Sequence, residues 1–269
     1  MSKVTLFTAA LNKGQGLLSE VHQLAQHWRP GITVRELAYD ALATGYLGRA
    51  TEARIRDVVA VFNRRFLRVV PQPVEHLHEL ALHLPVSGLF TEVCLLHTAA
   101  AHPELLAFLN EIYWPAHYAG RHELPKEAAQ EFLQEAQNRG RTGSTWSEGL
   151  TERTARRLTG TLTEFGLLGG PNRKGIRQLR PFQPRPETIV YLAYWLRELN
   201  LDVPSLLAHP LWQVLGLRPD DVLPSLRRMA LQNWLTVLTA GDVLRLEWNY
   251  PSTTVLLHDL TQRSIHATA

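Results

Sequence analysis

Residues 150–181 read LTERTARRLTGTLTEFGLLGGPNRKGIRQLRP. On a helix turning 100° per residue, Thr151, Ala155, Leu158, Leu162 and Phe165 fall within about 80° of one another. Arg153, Arg156, Gly160 and Thr163 fall on the opposite side, with Arg157 on a shoulder. Gly166 suits the left-handed position that ends a helix. LLGGPNRKGIRQLR then reads as strand, turn, strand, with Arg173 and Lys174 at the tip and Arg177 and Arg180 on the return. A helix with a basic outer side, followed by a basic hairpin, is the pattern of a winged helix. Its helix enters the major groove of DNA, where arginine takes guanine edges bidentately. Its hairpin neutralises phosphates or enters the minor groove. Thr161 and Thr163 can reach phosphates. The competing reading is an ordinary amphipathic helix with a solvated hairpin.

Charge supports the first reading. The chain of 269 residues carries a formal net charge of only +3. Its distribution is uneven: residues 139–185 carry +7, residues 49–68 carry +4, and the remainder carries −8. Basic charge gathered into two windows suggests a polyanion-facing surface rather than general solubility. A hydrophobic fraction of 45% and a charged fraction of 20% are enough to bury a core. The single cysteine, Cys94, excludes an internal disulfide and fits a reducing cytosol, where it reads as a small buried residue. No signal peptide opens the chain, and no run of about 18 uncharged apolar residues suggests a membrane span.

Upstream of this stretch the sequence reads as helices. Leu17, Leu18, Val21, Leu24 and Trp28 keep helical spacing until Pro30-Gly31. TVRE at 33–36 is a capping box, and its helix is expected to run to about Leu47. Thr51 then caps a helix to about Arg68, with Ile55, Val58, Val59, Phe62 and Phe66 inward. Two helices joined by about three residues have helix-turn-helix spacing, and Arg54, Arg64, Arg65 and Arg68 lie away from the second helix's apolar stripe. Further helices are expected near 74–84, 88–100, 103–113 and 125–138, with a polar, glycine-bearing boundary loop at 137–145. Helices near 187–199 and 219–234 and a hairpin around Ala240-Gly241-Asp242 complete the chain. That hairpin, preceded by Arg227 and Arg228, reads as a sheet supporting helices rather than as a second wing.

Other chemistry finds little support. His76, Glu79 and His83 share a helical face, but the zinc spacing of two histidines at i and i+4 is missing. Tyr113, Trp114 and Tyr118 can stack bases, although aromatic clusters in helical proteins are usually core. There is no Walker A loop, dinucleotide fingerprint, nucleophile elbow or paired-cysteine motif. No catalytic residue, metal or cofactor is therefore expected.

Three blocks carry a resemblance. They are TVRELAYDALATGYLGRATEARIRDVVAVFNRRFL, TWSEGLTERTARRLTGTLTEFGLL, and PETIVYLAYWLREL followed by AGDVLRLEWNY. Together they resemble the BrxA family of BREX bacteriophage-defence systems, over residues from about 5 to 260. The resemblance implies a small, mainly helical, non-enzymatic protein that binds double-stranded DNA beside other BREX components. It also implies a NusB-like N-terminal half, which keeps RNA open as a ligand. A protein-interaction scaffold and an RNA-binding regulator are the alternatives. The expectation is a mainly α, cytoplasmic protein with no membrane partner. Its helical domain spans 1–138, and a winged-helix-like domain with small hairpins spans 139–269. The expected nucleic-acid contacts are Arg153, Arg156, Arg157, Thr163, Arg173, Lys174, Arg177, Arg180, Arg54, Arg64 and Arg68.

Overall fold

The computed structural model describes residues 6–14, 17–86, 88–241 and 243–266, with side chains as far as Arg263. A 3-10 turn, Ala9–Lys13, precedes α1 (Leu18–His27), α2 (Val34–Thr44), α3 (Glu52–Phe62), α4 (Val74–His83) and α5 (Gly88–Ala101). Next come α6 (Pro103–Phe108), α7 (Trp114–Tyr118), β1 (Glu123–Leu124), α8 (Ala128–Asn138), α9 (Glu148–Glu164), β2 (Leu168–Pro171) and β3 (Arg177–Leu179). The chain closes with α10 (Pro186–Glu198), α11 (Val203–Leu207), α12 (Pro219–Ala230), β4 (Leu235–Ala240), β5 (Val243–Trp248) and α13 (Thr253–His266). The protein is mainly α, with small antiparallel strand pairs.

The local signals act as their chemistry requires. In the capping box, Thr33 Oγ1 accepts from the Glu36 backbone N–H at 3.2 Å, and Glu36 Oε2 accepts from the Thr33 N–H at 2.8 Å. Thr51 caps α3 through the Arg54 N–H. Gly45, left-handed at φ +69, takes the helix end at Thr44, three residues short of the expected Leu47. The connection to α3 is therefore residues 45–51, about twice the turn of a compact helix-turn-helix.

Two helices run on through π turns. Asn63–Leu67 extends α3, and Leu109–Tyr113 joins α6 to α7. The second π turn leads into Pro115 near the start of α7. Proline offers no N–H for the helical ladder, and a π turn absorbs that gap without ending the rod. The helix expected near 103–113 thus runs on to Tyr118 through a local widening.

β1, β2 and β3 form an antiparallel sheet in the order β1-β3-β2. The helices α8 and α9 lie between β1 and β2 in sequence, and α9 packs on both α8 and β2. β4 and β5 make a separate hairpin, against which α12 packs. Trp248 of that hairpin meets Tyr194 of α10 edge-on at 4.8 Å. Asp242, at the expected hairpin turn, lies outside the described residues.

A final helix, α13, was not expected. Leu256, Leu257 and Leu260 bury one of its faces, and it packs across α4 in the N-terminal half. The buried residues form one continuous cluster from Phe7 to Leu260, spanning both sides of position 138.

Candidate nucleic-acid interface

Helix α9 starts at Ser147, whose hydroxyl accepts the Leu150 N–H. Thr151, Ala155, Leu158 and Leu162 are buried, while Arg153, Arg156 and Arg157 are exposed, as the periodicity requires. Two clefts flank the exposed side. The first, about 620 Å³, is lined by Ala9, Asn12, Lys13, Leu150, Arg153, Arg156 and Arg157, four cations and no carboxylate. The second, about 250 Å³, runs towards the β2–β3 hairpin and includes Lys126, Glu152, Arg156, Gly175 and Arg177. Arg156 borders both and so forms the crest between them.

Lys13 reaches this site through the 3-10 turn, which packs along α9. Asn12 Nδ2 donates to Thr154 Oγ1 at 2.9 Å. A third cleft, about 270 Å³, joins Lys13 and Arg157 to Arg54 of α3, with the carboxylates Glu20 and Glu164 also in its wall. The two basic windows of the sequence, far apart along the chain, thus meet. Their ion pairs are loose: Arg156 lies 3.8 Å from Glu152, and Arg54 lies 3.3 Å from Glu20. Exposed pairs of this kind contribute roughly 0–1 kcal/mol, so an incoming anion can replace them. Lys13, Arg153 and Arg157 have no ion-pair partner among the described residues. Unpaired cations facing one cleft raise its potential.

The hairpin is short. Asn172 Oδ1 accepts from the backbone N–H groups of Lys174 and Ile176, closing the tip. Gly175 is left-handed at φ +79, and a Cβ there would lie 2.8 Å from Lys126 Cδ. Arg173 and Lys174 are exposed at this tip, and Arg180 is exposed beyond β3. Arg177 faces inward to the helix–hairpin joint, where it donates to Thr163 Oγ1 at 2.8 Å. Burial lowers the Arg177 pKa. The Thr163 hydroxyl donates to the Thr159 carbonyl. These two residues set the angle between helix and hairpin. Thr161, expected to reach phosphates, is instead fully buried. Arg64 is half-buried and Arg68 exposed, and neither lines these clefts.

Arg65 corrects the sequence reading. It is fully buried, not outward. Position 65 is seven residues after Val58, two helical turns, so it returns to the apolar face. Its Nε donates to His102 Nε2 at 3.3 Å, and its Nη2 donates to the Gly14 carbonyl at 3.0 Å. His102 Nδ1 in turn faces Glu104 Oε1 at 3.3 Å, and Glu104 Oε2 accepts the Thr8 N–H. This is a neutral imidazole, accepting on one nitrogen and donating on the other. Burial, the largest influence, accordingly lowers the His102 pKa. The network holds Thr8 and Gly14, on either side of the 3-10 turn, and so positions the turn that carries Lys13. Lys13 and Lys126 could not be found from sequence, since each joins the site only by packing.

The aromatic cluster is mostly core. Tyr113 and Trp114 are buried, and Tyr118 is capped by Arg218 at 4.7 Å from its ring. No helix among the described residues is long and apolar enough to cross a membrane.

A family model described as BrxA matches residues 5–193. No curated protein matches the chain. Among solved structures, the crystal structure of an uncharacterized protein from Magnetospirillum magneticum is similar, with a TM-score of 0.56 and 18% sequence identity. The similarity covers 78% of this chain and 97% of that one, and it shows a shared fold.

Proposed function

Because the chain belongs to the BrxA family, we propose that it is a non-enzymatic DNA-binding accessory protein of a BREX phage-defence system. The observation that carries this reading is the acid-free cleft of Lys13, Arg153, Arg156 and Arg157 along α9. The connectivity β1–α8–α9–β2–β3, with sheet order β1-β3-β2, supports a winged helix. In it α9 takes the recognition position and β2–β3 the wing. On this reading the winged helix begins before residue 138, because β1 and α8 belong to it. Arg156 on the crest enters the major groove. Lys13, Arg153 and Arg157 take the phosphates of one strand, and Arg173 and Lys174 take those of the other. Arg54 extends the phosphate track on to α3.

The test is a titration of duplex DNA at several salt concentrations. Each phosphate contact contributes about 0.9 to the slope of log affinity against log salt. Replacing Lys13, Arg153, Arg156 and Arg157 together by alanine should flatten that slope by about 2.7 units from the three phosphate contacts, with the thermal midpoint unchanged. A folded variant that binds DNA like the parent overturns the reading. RNA of equal length displacing the duplex would make the protein an RNA binder. No nucleic-acid binding by the parent would favour a scaffold whose basic face meets acidic protein surfaces.

A further inference from the structure

Glu79, His83 and His258 converge where α13 lies across α4. Glu79 and His83 are four residues apart and share a face of α4. His258 arrives from α13, at the other end of the chain. His83 Nε2 lies 3.5 Å from Glu79 Oε1, and His258 Nδ1 lies 2.9 Å from the same oxygen. One ligand atom from each residue lies within 4.8 Å of the other two. We propose that these three residues bind a divalent transition-metal ion of the zinc type, clipping the C-terminal helix to the N-terminal bundle.

The chemistry of the donors selects the metal. Two imidazole nitrogens and one carboxylate oxygen form a three-ligand set that zinc takes with nitrogen and oxygen distances of about 2.0–2.2 Å. Magnesium and calcium prefer all-oxygen shells, so this set disfavours them. The positions are close to what such an ion needs. His258 is exposed at 62% of its side chain and can turn inward, and the same exposure gives the ion an entry path. Glu79, at 18%, is the sheltered anchor. The two rings stand edge to face at 6.4 Å between centroids, which leaves room between their nitrogens. An ion takes the lone pair of the ring nitrogen that faces Glu79, the single proton of the neutral imidazole then sits on the other ring nitrogen, and any second proton leaves to solvent. The pairing differs from the His76–Glu79–His83 face of the sequence reading. His76 is buried and bonds Tyr191, while His258 supplies the second imidazole.

The ion would act on stability. The α13 seam joins residues more than 170 positions apart, and a ligand that binds only the folded state stabilises it in proportion to its saturation. At free zinc about a hundred times its dissociation constant, the thermal midpoint should rise by about 5–10 °C.

The experiment uses the full chain without a polyhistidine tag, stripped with chelator and then titrated calorimetrically with zinc chloride. The expected result is one zinc per chain, no competition from excess magnesium, and the rise in midpoint. His258→Ala and Glu79→Gln should each remove both binding and the rise. His258 is exposed, so its variant should match the metal-free parent in circular dichroism and thermal midpoint. Cobalt(II) added to the parent should give the intense visible bands of a four-coordinate site, lost in His258→Ala. Absence of zinc binding, or undiminished one-to-one binding by a folded His258→Ala chain, overturns the proposal.

Discussion

Arg65 shows how a single side chain can change the meaning of a basic window. It is one of six arginines between positions 49 and 68, yet it is buried at 0% exposure and serves the fold. Burial lowers its pKa to about 10, which still leaves it charged at neutral pH. Removing one partner of a buried charged network costs about 3–5 kcal/mol, so Arg65→Ala should lose that much in denaturant unfolding. Arg68→Ala, at an exposed position, should stay within about 0.5 kcal/mol of the parent. Equal effects of the two would remove Arg65 from its structural role. The buried histidines make a second residue-scale statement. Burial holds the His76 pKa down to about 4 and lowers those of His97 and His102. In the unfolded chain these groups titrate near pH 6.5. Between about pH 6.5 and pH 4 the unfolded chain therefore binds protons that the folded chain refuses. Stability is fully present above that window and falls as pH drops through it, by at most about 1.4 kcal/mol per pH unit for His76, and His97 and His102 act in the same direction. His76→Gln should reduce the slope of stability against pH by about one proton in this window, and an unaltered slope would show that His76 titrates normally when folded.

At the scale of elements, the 3-10 turn and α13 matter most, because each is delivered by packing to a distant part of the chain. The turn brings Lys13 to α9, and the Arg65 network holds its flanks. Lys13→Ala should flatten the salt dependence of DNA binding by about one unit, leaving stability unchanged. A variant with the parent's slope would place Lys13 outside the interface. Helix α13 covers α4 with Leu256, Leu257 and Leu260, all fully or almost fully buried. Truncating a buried leucine to alanine costs about 2–5 kcal/mol, and Leu257→Ala should show that loss in chemical denaturation. A loss under about 0.5 kcal/mol would mean that α13 contributes little. The spacing of those leucines was legible in the sequence, with Ser252 available to cap the Val255 N–H. Little charge contrast along the helix, and a preceding hairpin that reads as an ending, hide it from the sequence pattern.

For the whole molecule, the question is whether the two halves part. The loop 139–145 is largely exposed, so a protease should cut there first. The buried cluster runs through both halves, α8 packs on α9 across the loop, and Gln137 bonds Trp146 and Thr151. The nicked fragments should therefore stay together on size exclusion and separate only in denaturant. Fragments that elute apart without denaturant would establish two independently folded domains with a boundary near 138.

The sequence by itself determined the helical class, most helix positions, the caps at Thr33 and Thr51, and the outward side of α9. These depend on residues within a few turns of one another, where periodicity and capping chemistry act locally. It also located both basic windows, because charge can be counted along a chain. Only the tertiary structure decided which cations face a common cleft: it brought Lys13 and Arg54 to Arg157, turned Arg177 into the helix–hairpin joint and buried Arg65. It alone carried His258 to Glu79. Such meetings join residues tens to hundreds of positions apart. They follow from how apolar faces stack into one core, and no local pattern encodes which distant polar groups that stacking brings together.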